Sequence, residues 1–284
     1  MNKKISYENL SKVITKDFVK KSQKNIGTAA SLNFFDKLTL SIGFLVVFGT
    51  MMFVLGIGLA GNEEVGEVNV VSRTTFQEVL NVSQSVVLIV KIGLLIFAAL
   101  SIINLFPQKN LAHQMFLGTI YAFWLCISAI LTSIGMLWGA TLGGFGPFGF
   151  CLQLILVIYL VLVNFRKRVF EIKEQLSLAE SKSGKKSYTT LFVLAVIVLT
   201  LFNHFIFKFG YEKIDPKPIE LLTGWGGLLW GMLLVGVIKL TFKQIFLTYY
   251  FARYDNKFYE NLVFSDKEWY GPRKAKRLAK KKGK

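Results

Sequence analysis

Acidic residues are missing from every long apolar stretch of this sequence. Six such stretches hold no aspartate or glutamate, and proton-coupled carriers commonly work through carboxylates within the membrane. Catalytic signatures are missing as well. There is no phosphate-cradling GxxxxGK[ST], no HExxH, no GxSxG elbow and no paired-carboxylate cluster, so nothing points to ATP hydrolysis, proteolysis or glycosyl transfer. The expectation is a non-enzymatic protein with no cofactor. Histidine is scarce, at His113 and His204 only, which leaves too few ligands for a zinc site. The two cysteines, Cys126 and Cys151, each fall inside an apolar run without ligand spacing; they read as buried small hydrophobes rather than a disulfide.

What is present is apolar and basic. Hydrophobic residues make up 53% of 284, and the mean hydropathy is +0.48, values that fit a chain solvated largely by lipid. A hydrocarbon core of about 30 Å needs roughly 20 apolar residues of helix. Six stretches qualify: Leu38–Ala60, Val86–Phe106, Met115–Gly139, Phe145–Asn164, 190–207 and 221–238. The first begins too far from the start to be the core of a cleavable signal peptide. The predicted fold class is all-α, a polytopic membrane bundle of six transmembrane helices, with segment 1–37 before it and segment 239–284 after it.

The net charge is +17. In a soluble protein such an excess would suggest nucleic acid, but its distribution gives another reason. Segment 1–37 holds eight Lys and Arg, 107–114 one, 165–188 seven and 239–284 thirteen, giving 29 on one side of the predicted bundle. The opposite loops, 61–85 and 208–220, hold four. Basic residues accumulate in loops that stay in the cytoplasm, so both termini are predicted to be cytoplasmic, in a cell membrane of bacterial type. The terminal run RKAKRLAKKKGK is the extreme of this bias. Arg273, Lys274, Lys276, Arg277, Lys280, Lys281 and Lys282 are assigned to the anionic inner leaflet, where each nearby cation contributes about 1 kcal/mol.

Between the spans, segment 1–37 sets Ile5, Leu10, Val13, Ile14 and Phe18 on one helical face and Lys12, Lys16 and Lys20 on another, the pattern of a helix lying on the leaflet. The valine-rich loop 61–85 suggests a short strand or surface piece. The last span keeps its helical period past Ile238, with Phe242, Phe246, Tyr249, Tyr250, Phe251 and Tyr254 read as an interfacial belt. In FSDKEWYGP, Trp269 and Tyr270 read as the anchors of an interfacial turn.

A few residues break the apolar pattern. Lys91 lies five residues inside the second span, about 8 Å at helical rise. It either snorkels to the headgroups or faces the bundle interior to bind an anionic group. Asn203 and His204 sit near the end of the fifth span and are expected to hydrogen-bond a neighbouring helix. Gly227 and Gly231 have GxxxG spacing and mark a helix-packing face, central or between two copies of the chain. The stretch ATLGGFGPFG is expected to be a tight hairpin outside the bilayer.

The functional expectation is a membrane protein that acts through contacts in the bilayer, as an immunity protein against a pore-forming toxin or as an accessory subunit of a membrane complex. The alternative is a small-solute transporter or permease subunit working past Lys91. Partners are expected to be membrane lipids and another membrane protein or membrane-inserted toxin, with a homodimer also open; nucleic acid is not favoured.

Overall fold

The computed structural model describes residues 6–58, 71–176, 189–209 and 218–282. These are all-helical, with no strand among them. Among the described residues, five helical stretches, Phe34–Gly58, Arg73–Leu105, Leu111–Gln175, Thr189–Phe207 and Ile219–Arg253, are long and apolar enough to cross a membrane.

Short helices α1 (Tyr7–Ser11) and α2 (Lys16–Ile26) precede α3 (Phe34–Phe53). Then come α4 (Arg73–Leu105), α5 (Leu111–Thr132), α6 (Ile134–Gln175) and α7 (Thr189–Phe202). The chain ends in α8 (Pro218–Thr223), α9 (Gly226–Arg253), α10 (Asp255–Asn261), α11 (Asp266–Tyr270) and α12 (Pro272–Lys282). Wider π-type turns at Val54–Gly58 and Asn203–Phe207 follow α3 and α7.

Glycine sets the spacing of the central helices. Gly135, Gly139 and Gly143, four residues apart, face Ser83, Val79 and Thr75 of α4, so residue numbers rise along α6 as they fall along α4. A Cβ on Gly139 would lie 2.4 Å from Val79 Cα, a distance no side chain tolerates. Closer to the other end, Trp124 Nε1 donates to Gly93 O at 3.0 Å, which extends the same antiparallel pairing into α5. Such contact suits a bilayer, where helix association rests on van der Waals packing and interhelical hydrogen bonds rather than on hydrophobic burial.

The stretch ATLGGFGPFG turns the chain back on itself, as the hairpin reading expects, with the Trp138 and Phe150 rings 5.1 Å apart across the turn, but it does so without a loop and with Gly143, Gly144, Gly146 and Gly149 buried. Helix continues through Phe145 and resumes at once, and only Gly146 departs from it, at φ 65° and ψ −178°. Glycine reaches that left-handed φ without steric cost, and Pro147 follows, tolerable at the start of a new helical piece because its nitrogen has no hydrogen to place. After the break, Val157 meets Gly231 and Phe165 meets Phe242, so the second part of α6 runs alongside α9.

The loop 61–85 is also corrected in its second half. No strand forms there; α4 begins at Arg73, capped by Ser72, whose Oγ accepts from Thr75 N at 3.1 Å. The buried Glu220 carboxylate accepts from Ser72 N and ties that helix start to α8. Residues 61–70 lie outside the described residues.

The terminal segments form one body. Leu10, Ile14 and Val19 share a buried core with Leu111, Met115, Ile172, Leu247, Phe251, Phe258 and Trp269. The apolar face of the amino-terminal segment is therefore spent on protein, not on a lipid surface, because the aromatic end of α9 and helices α10 and α11 cover it. Ile5 lies outside the described residues. The aromatics read as an interfacial belt largely belong to this core: Phe242, Phe246, Tyr250 and Tyr254 pack against it and Phe251 is fully buried, while Tyr249 is exposed. Trp269 is buried at its centre, and α11 carries a capping box formed by Ser265 and Glu268.

Candidate functional site at the basic end of the bundle

The polar side chains at this end gather around the turn between α4 and α5. Asn110 caps α5, its Oδ1 accepting from His113 N at 3.1 Å. Its Nδ2 donates to Asp255 Oδ2 at 2.7 Å, and Lys109 Nζ donates to the same oxygen at 2.9 Å. Asp255 Oδ1 accepts from Asn256 N at 2.8 Å, and His113 Nδ1 lies 3.7 Å from Oδ2. Burial works to raise the Asp255 carboxyl; the hydrogen bonds from Lys109, Asn110 and the Asn256 amide, with the Lys109 charge, outweigh it and hold the group below the ordinary carboxylate value.

One turn further along α5, Gln114 is wholly buried and fully used. Its Nε2 donates to Ala29 O at 2.8 Å and to Asn104 Oδ1 at 2.9 Å. Its Oε1 accepts from Lys37 Nζ and from Gln108 N, both at 3.1 Å. Lys37 itself has no exposed surface, an uncommon position for a lysine, whose charge is costly to remove from water. One amide thus joins the turn after α2, the start of α3, the end of α4 and α5.

At the opposite end the buried polar groups serve the start of α9. Thr141 Oγ1 accepts from Gly227 N at 2.7 Å, and Gln153 bridges Gly224 O at 3.0 Å and Leu228 N at 3.2 Å. The bonds from Gly227 N and Leu228 N satisfy amides that a helix start leaves without intrahelical partners, and the bond to Gly224 O serves the carbonyl just after α8.

The residues singled out from sequence are scattered. Lys91 is exposed on the outer surface of α4, beside Leu88, Ile92 and Leu95, which are exposed too. Asn203 and His204 are buried. Asn203 caps its own helix end, with Oδ1 accepting from Phe209 N at 3.2 Å. His204 bonds the Gly144 backbone and sets its ring edge-on to Phe145, with centroids 5.5 Å apart, so it reaches another helix. Gly227 receives Trp138 and Gly231 receives Val157, which places the GxxxG face inside the chain. Arg273, Lys274, Lys276, Arg277, Lys280 and Lys281 are exposed on α12. Lys282 ends that helix. Both cysteines are free and exposed rather than buried, since an apolar thiol on a lipid-facing surface needs no protein cover. Among the described residues no cluster of three or more His, Cys, Asp or Glu is placed to hold a metal ion.

No family model, no curated protein and no solved structure matches this chain.

Sequence reasoning missed Lys37, Asn104, Gln114 and Asp255. Lys37 is one of eight cations in segment 1–37, and nothing local sets it apart. Asn104 and Gln114 carried a signal, as amides within apolar surroundings in SIINLF and LAHQMFL. Asp255 carried none, because its partners lie more than 140 residues away.

Proposed function

We propose that this chain is a non-enzymatic multi-pass protein of the cell membrane that acts through contacts with other molecules in the bilayer. In this reading it crosses six times, the sixth crossing arising from the break at Gly146 inside the long Leu111–Gln175 stretch. Both termini lie in the cytoplasm, supported by the 29 basic residues on that side against four on the other. Immunity against a membrane-inserted, pore-forming toxin is the leading form, and an accessory subunit of a membrane complex is the other.

One observation carries this reading. The central helices approach backbone to backbone at their glycines, while Lys91, the cation within the apolar part of α4, faces outward among exposed leucines and isoleucines. A lysine there is available to a neighbouring molecule and not to a path through the chain. The permease alternative needs Lys91 inside the bundle and takes no support from this placement.

The test is deletion of the gene followed by challenge with pore-forming peptides and proteins. Cells lacking the protein are expected to leak dye at lower doses of at least one of them, with protection restored by the wild-type chain. Unchanged sensitivity to all of them contradicts the immunity form.

A further inference from the structure

We infer that the basic end carries a binding site for a phosphate group, in a cleft where α3, the α4–α5 turn and α12 meet. The cleft has a volume of about 350 Å3, and Asn33, Phe34, Gln108, Lys109, Arg273 and Lys274 are among its lining residues.

The lining charge is all of one sign. Arg273 and Lys274 contribute two cations, Lys109 a third that is ion-paired with Asp255 at 2.9 Å, and among the described residues no carboxylate lines the cleft. Two acids stand just outside the lining, with their oxygens occupied: Asp36 accepts from Ser31 Oγ and Asn33 Nδ2, each at 3.0 Å, and Asp255 accepts from Lys109 and Asn110. Lys274 Nζ donates to Lys109 O at 2.9 Å, which uses one of its three hydrogens. Arg273 lays its guanidinium 5.7 Å from the Phe35 ring centroid, leaving its planar fork of donors for an anion, a geometry that matches phosphate. Helix α12 begins at the rim, at Pro272, with no acid in its first turn, and its start adds partial positive charge; the start of α3 is offset by Asp36.

The surroundings favour a phosphate attached to a lipid. Phe35 and Phe106 flank the cleft and are each 60% exposed, and the Phe34 and Phe106 rings lie 6.3 Å apart. An acyl chain leaving the cleft would run over aromatic and apolar surface. A free phosphate ion would use the cations and ignore the phenylalanines. The inference rests on the proposed function in one respect, that this end lies at the headgroup layer.

The test uses the full chain in neutral detergent, with native mass spectrometry of bound phosphatidylglycerol and phosphatidylcholine. Phosphatidylglycerol is expected to bind at least tenfold more tightly. The double variant R273Q/K274Q weakens it about thirtyfold, taking about fivefold per cation, while K21Q/K24Q, exposed on α2, stays within about twofold. Thermal unfolding confirms that both variants fold. Equal loss in the two pairs, or no lipid preference in the wild type, overturns the site. Inorganic phosphate at millimolar concentration distinguishes the sources. Competition that disappears in R273Q/K274Q supports the site with free phosphate as a ligand, and lipid preference without competition supports it with lipid alone. Labelling of a Lys280→Cys variant by an impermeant maleimide, from each side of sealed cells and inverted vesicles, tests the membrane reading separately. Labelling from outside would overturn the orientation and leave the phosphate site standing.

Discussion

Gly139 of α6 stands against Val79 of α4 so closely that a Cβ on the glycine would come within 2.4 Å of the valine's Cα and 2.8 Å of its nitrogen. The obstacle is backbone, which cannot swing away as a side chain can. Gly139→Ala should therefore force the two central helices apart, at a cost of about 1–3 kcal/mol or more. Gly236→Ala is the control, with nothing within 4 Å of its Cβ position; it is expected to be neutral or to stabilise by about 0.5–1 kcal/mol, as alanine commonly does in a helix. Thermal unfolding of the two variants in detergent measures the difference.

The bond network around Gln114 makes a second contrast. Lys37→Met removes a buried charge and keeps a flexible apolar stem, so stability should hold or rise. Gln114→Leu strands the Lys37 amine and the Ala29 carbonyl together in a buried setting, and each unsatisfied group costs about 1–3 kcal/mol. Denaturation by a graded detergent series should rank the two variants in that order, with Gln114→Leu the weaker.

The pH response of the cap follows from Asp255. Its carboxyl is held below the ordinary value, so the unfolded chain binds its proton more readily than the folded one. The stabilisation is fully present above the unfolded value of about 3.9 and is lost as pH falls through the lower folded value. Between neutrality and about pH 4.5 this contact should not weaken. Its size is modest because the Lys109 side chain is 60% exposed and solvent screens the pair. Limited proteolysis of the segment after Tyr254, compared between wild type and Asp255→Asn across this range, is expected to show faster cleavage in the variant and a flat wild-type profile.

The long apolar spans and the lopsided charge were legible in the sequence because each is a local property: about 20 apolar residues need no partner to be noticed. Lys91 was legible as an anomaly, but its outward direction depends on which face of α4 the glycines of α6 occupy. Gly135, Gly139 and Gly143 repeat at four-residue spacing, but spacing alone does not say which helix they face, and the turn at Gly146 was legible from its glycines and Pro147 while its lack of any loop was not. The amphipathic face of α1 and α2 was read correctly as a face and assigned the wrong cover, since lipid and a distant part of the same chain satisfy the same pattern. Only the pairing of Leu10 and Ile14 with Phe251 and Trp269 decides between them, and no local signal contains a contact across more than 200 residues.

Lys91 offers the most direct test of the whole account. A photo-crosslinking amino acid placed at position 91, and separately at the exposed Leu95, would be activated in native membranes and the adducts resolved by mass. A protein that works through contacts in the bilayer should give the same discrete protein adduct from both positions. Adducts confined to lipid at both, together with solute uptake that falls in Lys91→Ala, would contradict it.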